Sequence, residues 1–238
     1  MPRAGSLSHA PLADSAGRDV SETRFGVWFQ GTSIWRRYVV HDTLDVLQQL
    51  LPEPRARFER VLDAGCGVGF ALAELRARFS PHTLIGVDSD AALVELARHA
   101  HAGDADLRVA DLRQLDLPDA SLDLVLCHQT LHHVGDQERA LAELRRVLVP
   151  GGVLLLAESC LPFIRMWWVR AFFRHPASAR RSADDYVGLV QRAGFTLSSA
   201  RIATPDFWWA LPDLGLRRFL GAAGGSHPLV CLAATRAT

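Results

Sequence analysis

Between residues 61 and 69 the chain reads Val-Leu-Asp-Ala-Gly-Cys-Gly-Val-Gly. Glycines at alternate positions let a backbone pass close to a ligand and take dihedrals that other residues avoid. Such a turn from strand to helix, at the edge of a parallel sheet, is where these folds bind nucleotides. The dinucleotide fingerprint Gly-x-Gly-x-x-Gly is not met, because the third glycine, Gly69, comes one residue early and position 70 is Phe. Asp63, just ahead of the glycines, would repel phosphates and suits a ligand carrying an ammonium group. Asp88, with Ser89 beside it, follows Gly65 by 23 residues. A carboxylate there can accept both hydroxyls of a ribose. Asp111 and Leu112 close a third strand candidate, a place suited to an adenine amino group. One Asp at a strand end more often caps a turn. Three at successive strand ends behind a glycine turn are harder to assign to capping alone.

A second cluster, Cys127-His128-Gln129-Thr130-Leu131-His132-His133-Val134, follows the fourth strand candidate. Its three histidines invite a metal, but Cys127 belongs to the strand and no carboxylate stands at ligand spacing, so no metal site is expected. His128 and His132 are the candidate bases. A neutral imidazole with a pKa near ~6.5 can take a proton from a phenol, enol or carboxylic acid. Lining a pocket or bonding backbone is the alternative role for both.

The elements that position these residues are legible in the spacing. Strand candidates are Arg60–Ala64, Thr83–Asp88, Leu107–Ala110, Leu122–Cys127 and Val153–Ala157, with helical patterns over 69–79, 90–101 and 137–148 between them. This alternation predicts right-handed βαβ units and a parallel sheet. In the last helix Ala140, Leu141, Leu144, Val147 and Leu148 form one stripe, Asp136 is placed to cap it, and Pro150-Gly151-Gly152 to stop it. Residues 33–51 read as a further helix, capped by Ser33 and stopped by Pro52 and Pro54. Ser182 and Asp185 open another, which Gly194 ends. Strands are expected at 195–203 and 229–235.

Composition narrows the class. The 238 residues carry 26 basic and 26 acidic side chains, which argues against a broad nucleic-acid footprint. All the basic residues are Arg, so Lys Schiff-base chemistry and a Walker phosphate loop are excluded. Four scattered cysteines fit neither a zinc site nor a disulfide framework. With no signal-peptide pattern and no apolar run near ~18 residues, a cytoplasmic location is expected.

VLDAGCGVG at 61–69, GVDSD at 86–90, ADLRQLDLPDASLDLVLCHQTLHHV at 110–134 and LAELRRVLVPGGVLLLAE at 141–158 resemble the class I S-adenosylmethionine-dependent methyltransferases. The likeness is greatest to the small-molecule branch with the ubiquinone and menaquinone methyltransferases. It implies an α/β fold: a seven-stranded Rossmann-like sheet, mostly parallel, with an antiparallel last strand and helices on both faces. It implies S-adenosyl-L-methionine as cofactor. Asp63, Gly65, Cys66, Gly67 and Gly69 would hold its methionine end, Asp88 and Ser89 the ribose, and Asp111 with the Leu112 backbone the adenine. His128 would stand beside the methionyl portion. The Asn-Pro-Pro-Tyr tetrapeptide of the family's nucleic-acid and protein amine methylases is replaced by Cys127-His128-Gln129-Thr130, which disfavours exocyclic amines.

On this reading residues 1–24 are a flexible tail, 25–57 a helical cover, and 58–238 the methyltransferase domain with inserted cover segments 161–181 and 204–228. Of nineteen aromatic residues, only Phe58, Phe70 and Phe79 lie within 58–158; the rest, with all six Trp, fall in the flanking segments. Packing on the sheet would explain them. So would an aromatic roof over a pocket. Residues 161–174 read as one apolar helix with three fates: pocket roof, homodimer interface, or peripheral membrane contact, the chain being a monomer in the first. Trp167, Trp168, Trp208 and Trp209 are the candidate roof residues. The expected reaction is methyl transfer to an oxygen or carbon of an apolar or aromatic small-molecule acceptor, quinone-, phenol-, polyketide- or acyl-like. A nicotinamide-dependent oxidoreductase and a non-catalytic scaffold are the alternatives.

Overall fold

The computed structural model describes residues 23–51, 57–101, 103–174, 180–211 and 227–237. Strands β1 (Arg60–Ala64), β2 (Thr83–Asp88), β3 (Asp106–Val109), β4 (Leu122–His128) and β5 (Leu148–Ser159) run parallel, in the order β3-β2-β1-β4-β5. β8 (Leu229–Arg236) lies antiparallel against β5, with β6 (Phe195–Thr196) and β7 (Ile202–Ala203) on its far side. The central strands are buried on both faces, as a sheet covered by helices requires. One face carries α5 (Gln137–Val147) and α8 (Ala183–Arg192) through Leu141, Leu144, Tyr186 and Leu189. The other carries α2 (Asp42–Gln49), α3 (Phe70–Phe79) and α4 (Ala91–Ala100) through Leu44, Leu47, Leu72, Leu75 and Val94. The strand order reverses between β1 and β4. The loops after β1, β2, β3 and β4 therefore open on one crevice at their carboxyl ends.

Several boundaries differ from the sequence expectation. The sixth strand is broken into β6 and β7 by a 3-10 turn at Ser199–Arg201, which makes eight strand segments among the described residues instead of seven. Helix α5 stops at Val147, with Leu148 already extended, so Pro150-Gly151-Gly152 lies inside β5 and does not end the helix. Asp136 caps α5 and the Ser182–Asp185 capping box opens α8, as expected.

The N-terminal cover is also more divided. A short helix α1 (Arg24–Gln30), capped by Thr23, precedes a π-helix at Trp35–His41 that runs into α2. Thr32, not Ser33, makes the cap, its hydroxyl accepting from the Trp35 N–H at 3.2 Å. The helix ends at Gln49; Pro52 and Pro54 lie outside the described residues. Residues 161–174 form two short helices, α6 (Leu161–Ile164) and α7 (Trp167–Phe172), separated at Arg165–Met166. Residues 1–22 of the expected tail, and 175–179 and 212–226 of the cover segments, lie outside the described residues.

Candidate active site

The glycine turn forms the floor of an open crevice. Gly65 has φ of 84°, and a Cβ there would come 2.2 Å from the Thr130 side chain. Gly65 is thus required for two loops to meet. Gly67 has φ of 53°, and a Cβ there would meet only Gln30 Oε1, at 3.7 Å, among the described residues. Asp63, Gly65, Cys66, Gly67, Asp88, Ser89, Asp111, Leu112 and His128 all line this crevice. Gly69 does not. Its left-handed backbone opens α3, and a Cβ would meet His101 at 2.7 Å.

Three carboxylates border the crevice, and their states differ. Asp63 is buried, and its Oδ2 has no hydrogen-bond partner among the described residues. Burial, with the Asp88 charge adding to it, pushes its pKa up to about 7. A buried carboxylate without a cation is unfavourable on its own. Asp88 is anchored: Oδ2 accepts from the Gly67 N–H and Oδ1 from the Asp90 N–H, both at 2.9 Å. Burial raises its pKa, and these backbone donors oppose the rise. The Asp111 carboxylate is engaged by Arg113, with Nη2 at 2.7 Å and Nε at 2.9 Å, which holds its pKa below the ordinary value. Asp111, the residue expected to meet the adenine, thus carries an Arg113 partner and keeps lone pairs toward the crevice. It and Leu112 both lie on the crevice wall.

The loop after β4 joins this crevice to a second one. Gln129 has φ of 53° and Thr130 rests on Gly65. A left-handed non-glycine residue stores strain of order 1–3 kcal/mol and belongs where the surroundings fix it. Here Glu158, at the end of β5, does the fixing. One carboxylate oxygen accepts from the N–H groups of Thr130 (3.1 Å) and Leu131 (2.6 Å). The other accepts from the His132 N–H (3.4 Å) and lies 2.5 Å from His132 Nδ1. Glu158 and His132 are both buried, which favours their neutral forms: the Glu158 pKa rises to about 7 and the His132 pKa falls. They titrate as a unit. His128 is half-buried; desolvation lowers its pKa to about 4 against a bond to the Val39 backbone, so it is neutral near pH 7.

The second crevice is apolar and aromatic. Phe29, Trp35 and Tyr38 come from the N-terminal cover, Phe163, Trp168 and Phe173 from α6, α7 and the residue after α7, and Trp209 from the 3-10 turn at Trp208–Ala210. Trp209 Nε1 donates to the Tyr38 carbonyl at 3.0 Å, tying two cover segments together. Gln30, Trp35, Gln129 and His133 line both crevices, and His132 lines the second. Trp167 is 79% exposed and Trp208 47%, so neither serves as the roof residue that the sequence suggested.

Sequence reasoning missed Glu158, Gln129 and Gln30. Glu158 had one visible signal: a carboxylate closing the run Val153-Leu154-Leu155-Leu156-Ala157, where a buried charge needs a partner. Gln129 and Gln30 had none.

The doubly wound sheet carries this crevice at its switch point, where folds of this kind bind nucleotides, and the Asp63 carboxylate stands on its lining. Residues 62–156 match the family described as Methyltransferase domain. A malonyl-[acyl-carrier protein] O-methyltransferase from Enterobacter lignolyticus is 33% identical over 180 residues, covering 73% of this chain and 68% of that protein. An O-methyltransferase from Pyrenophora dematioidea is 32% identical over 165 residues, covering 64% of this chain and 59% of that one. An S-adenosylmethionine-dependent methyltransferase structure from Mesorhizobium loti superimposes with a TM-score of 0.62 at 20% identity, covering 87% of this chain and 99% of that one. The chain belongs to the S-adenosylmethionine-dependent methyltransferases. It spans between 30% and 59% of the length of four curated relatives that it matches, the Pyrenophora protein among them.

The residues present fit that cofactor. Asp63 Oδ2 lacks a partner among the described residues, where an ammonium would supply one. Gly67 leaves room that a side chain would occupy. Asp88 keeps lone pairs beyond its two backbone donors. Among the described residues, no helix is long and apolar enough to cross a membrane.

Proposed function

We propose that the protein methylates an oxygen of an apolar or aromatic small molecule, a phenol, enol or acyl-type acid, held in the aromatic crevice. The observation that carries this reading is the join between the two crevices. The aromatic one meets the glycine-lined one across Gln30, Trp35, Gln129 and His133, with His132 on its wall and Glu158 buried behind it. Oxygen is favoured over carbon because three relatives are named O-methyltransferases. The quinone-like branch remains within this class, since a hydroquinone is a phenol.

S-adenosylmethionine, when bound, supplies a methyl group on a sulfonium. Asp63 would hold its ammonium, Asp88 its ribose, and the Leu112 backbone its adenine. His132 accepts the acceptor's hydroxyl proton at Nε2, because Nδ1 is committed to Glu158. Glu158 fixes the ring orientation and favours the imidazolium that forms. The aromatic walls exclude water and align the acceptor, and such positioning can supply up to ~7–11 kcal/mol of the barrier reduction.

The test is turnover with a panel of phenols, enols and carboxylic acids, read as release of S-adenosylhomocysteine, beside calorimetry with that product and with NADH. Methylation of a hydroxyl and binding of S-adenosylhomocysteine are expected. Binding of NADH instead would return the oxidoreductase reading, binding of neither the scaffold reading, and methylation confined to amines would refute the assigned acceptor class.

A further inference from the structure

The 26 basic and 26 acidic residues balance over the whole chain, but not locally. Residues 25–41 and 161–174 hold no Asp or Glu. Arg36, Arg37, Arg165, Arg170 and Arg174 stand exposed on them, and of these Arg37 pairs with Asp42. The nearby carboxylate of Asp206 precedes Trp208 by two residues. The same segments expose large apolar side chains: Trp167 at 79%, Trp28 at 64%, Ile34 at 52% and Phe172 at 42%, with Trp208 at 47% beside them.

These rings form one border. Phe25 lies 4.6 Å from Phe172 and 5.5 Å from Trp28, and Tyr38 lies 5.5 Å from Trp208. Ile34 and Tyr38 also line the aromatic crevice, and Phe173 and Trp209, chain neighbours of Phe172 and Trp208, complete the same wall. Phe25, Trp28, Phe172 and Trp208 thus pack beside residues of the aromatic crevice, and the exposed arginines and Trp167 stand on the same two segments.

Exposed apolar patches of this kind mark interaction surfaces. A protein partner uses Trp and Arg as well, and co-sedimentation with vesicles separates that occupant from a lipid surface. A second copy of the chain would bring like charges together. The headgroup layer of a bilayer takes both groups: Trp and Tyr rest at that depth, while Arg reaches anionic phosphates. We infer that this face docks on an anionic lipid surface, with the mouth of the aromatic crevice turned toward the bilayer. The contact is peripheral, since α6 and α7 have four and six residues. The docking stands independently of the proposed methyl acceptor. Together with that reading, it supplies a route by which a membrane-dissolved acceptor reaches His132.

The experiment is co-sedimentation of the full chain with vesicles of phosphatidylcholine containing phosphatidylglycerol, beside vesicles of phosphatidylcholine alone. Pelleting with the anionic vesicles, weakened by salt, is expected. Each of Arg165→Gln, Arg170→Gln and Arg174→Gln should reduce the partition about fivefold. Trp167→Ala should reduce it at least about tenfold while leaving the melting temperature and S-adenosylhomocysteine affinity unchanged. Failure of the wild type to pellet, equal pelleting with both vesicle types, or normal pelleting of Trp167→Ala would overturn the docking. So would a concentration-dependent dimer that Trp167→Ala abolishes, which would give the face to a second copy. Loss of S-adenosylhomocysteine binding in the wild type would instead count against the methyltransferase site alone.

Discussion

Asp63→Asn separates the cost of a buried carboxylate from its use. The side chain is buried, has an Oδ2 unpartnered among the described residues, and has a pKa raised from 3.8 to about 7. An acid whose folded pKa is raised stabilises the folded state fully below its unfolded pKa and loses that contribution as pH rises through the folded one. The shift of about 3 units corresponds to about 4 kcal/mol over the whole window, of which about 2 kcal/mol is lost between about pH 5.5 and about pH 8. Asn is nearly isosteric and does not titrate. Without ligand, the melting temperature of the wild type relative to Asp63→Asn should therefore fall by about 4–8 °C between those pH values. Taking the difference between the two proteins removes the parallel titrations of Asp88 and Glu158. With ligand the order reverses. Losing a charged hydrogen-bond partner, worth about 1.5–3 kcal/mol, should weaken S-adenosylhomocysteine binding about 10- to 150-fold at pH 8. Wild-type affinity should itself drop up to about tenfold per unit below pH 7, as Asp63 takes up its proton. Scanning calorimetry and titration calorimetry read the two halves. Equal affinity in Asp63→Asn, or a stability gap that ignores pH, would refute the assignment of Asp63 to the ammonium.

Further outcomes follow from the same geometry. His132→Gln should lower turnover about 10²–10⁴-fold with S-adenosylhomocysteine affinity intact, and wild-type turnover should fall below about pH 7 as the His132–Glu158 pair gains its proton; normal turnover in the variant would leave positioning as the whole mechanism. With cofactor saturating at every pH, so that the Asp63 titration does not enter, Glu158→Gln should remove that pH limb, and an unchanged limb in stopped-time assays would take the carboxylate out of the pair. Gly65→Ala should fail to fold stably because its Cβ meets Thr130 at 2.2 Å, whereas Gly67→Ala should melt within a few degrees of the wild type yet lose cofactor affinity; comparable melting curves for the two would contradict the packing described. Trp168→Ala should raise the acceptor KM with little change in cofactor affinity, and Trp167→Ala should leave both in place when the acceptor is presented in solution.

The local code settled a large part of this protein. Period and punctuation located β1 to β5, α3, α4 and α5, because buried parallel strands read as short apolar runs and helices as stripes of period 3.6. The glycines at 65 and 67 and the aspartates at 63, 88 and 111 were legible because each lies at or just beyond a strand end, and strand ends share one edge once the sheet is parallel. Capping residues such as Asp136 and Ser182 act within one turn of chain, so they too were readable. What the sequence could not decide depends on contacts between distant segments. The split of 161–174 at Arg165–Met166, the π-helix at Trp35–His41 and the break between β6 and β7 arise where cover segments fit against one another, and local propensity carries no record of that fit. Periodicity could not separate Trp168, which lines the crevice, from its neighbour Trp167, which faces outward. Nothing in the spacing of Asp111 reveals that Arg113 folds back onto it. Glu158 and His132, 26 residues apart, become a pair only because β4 and β5 are neighbours and the loop after β4 turns its N–H groups onto the end of β5.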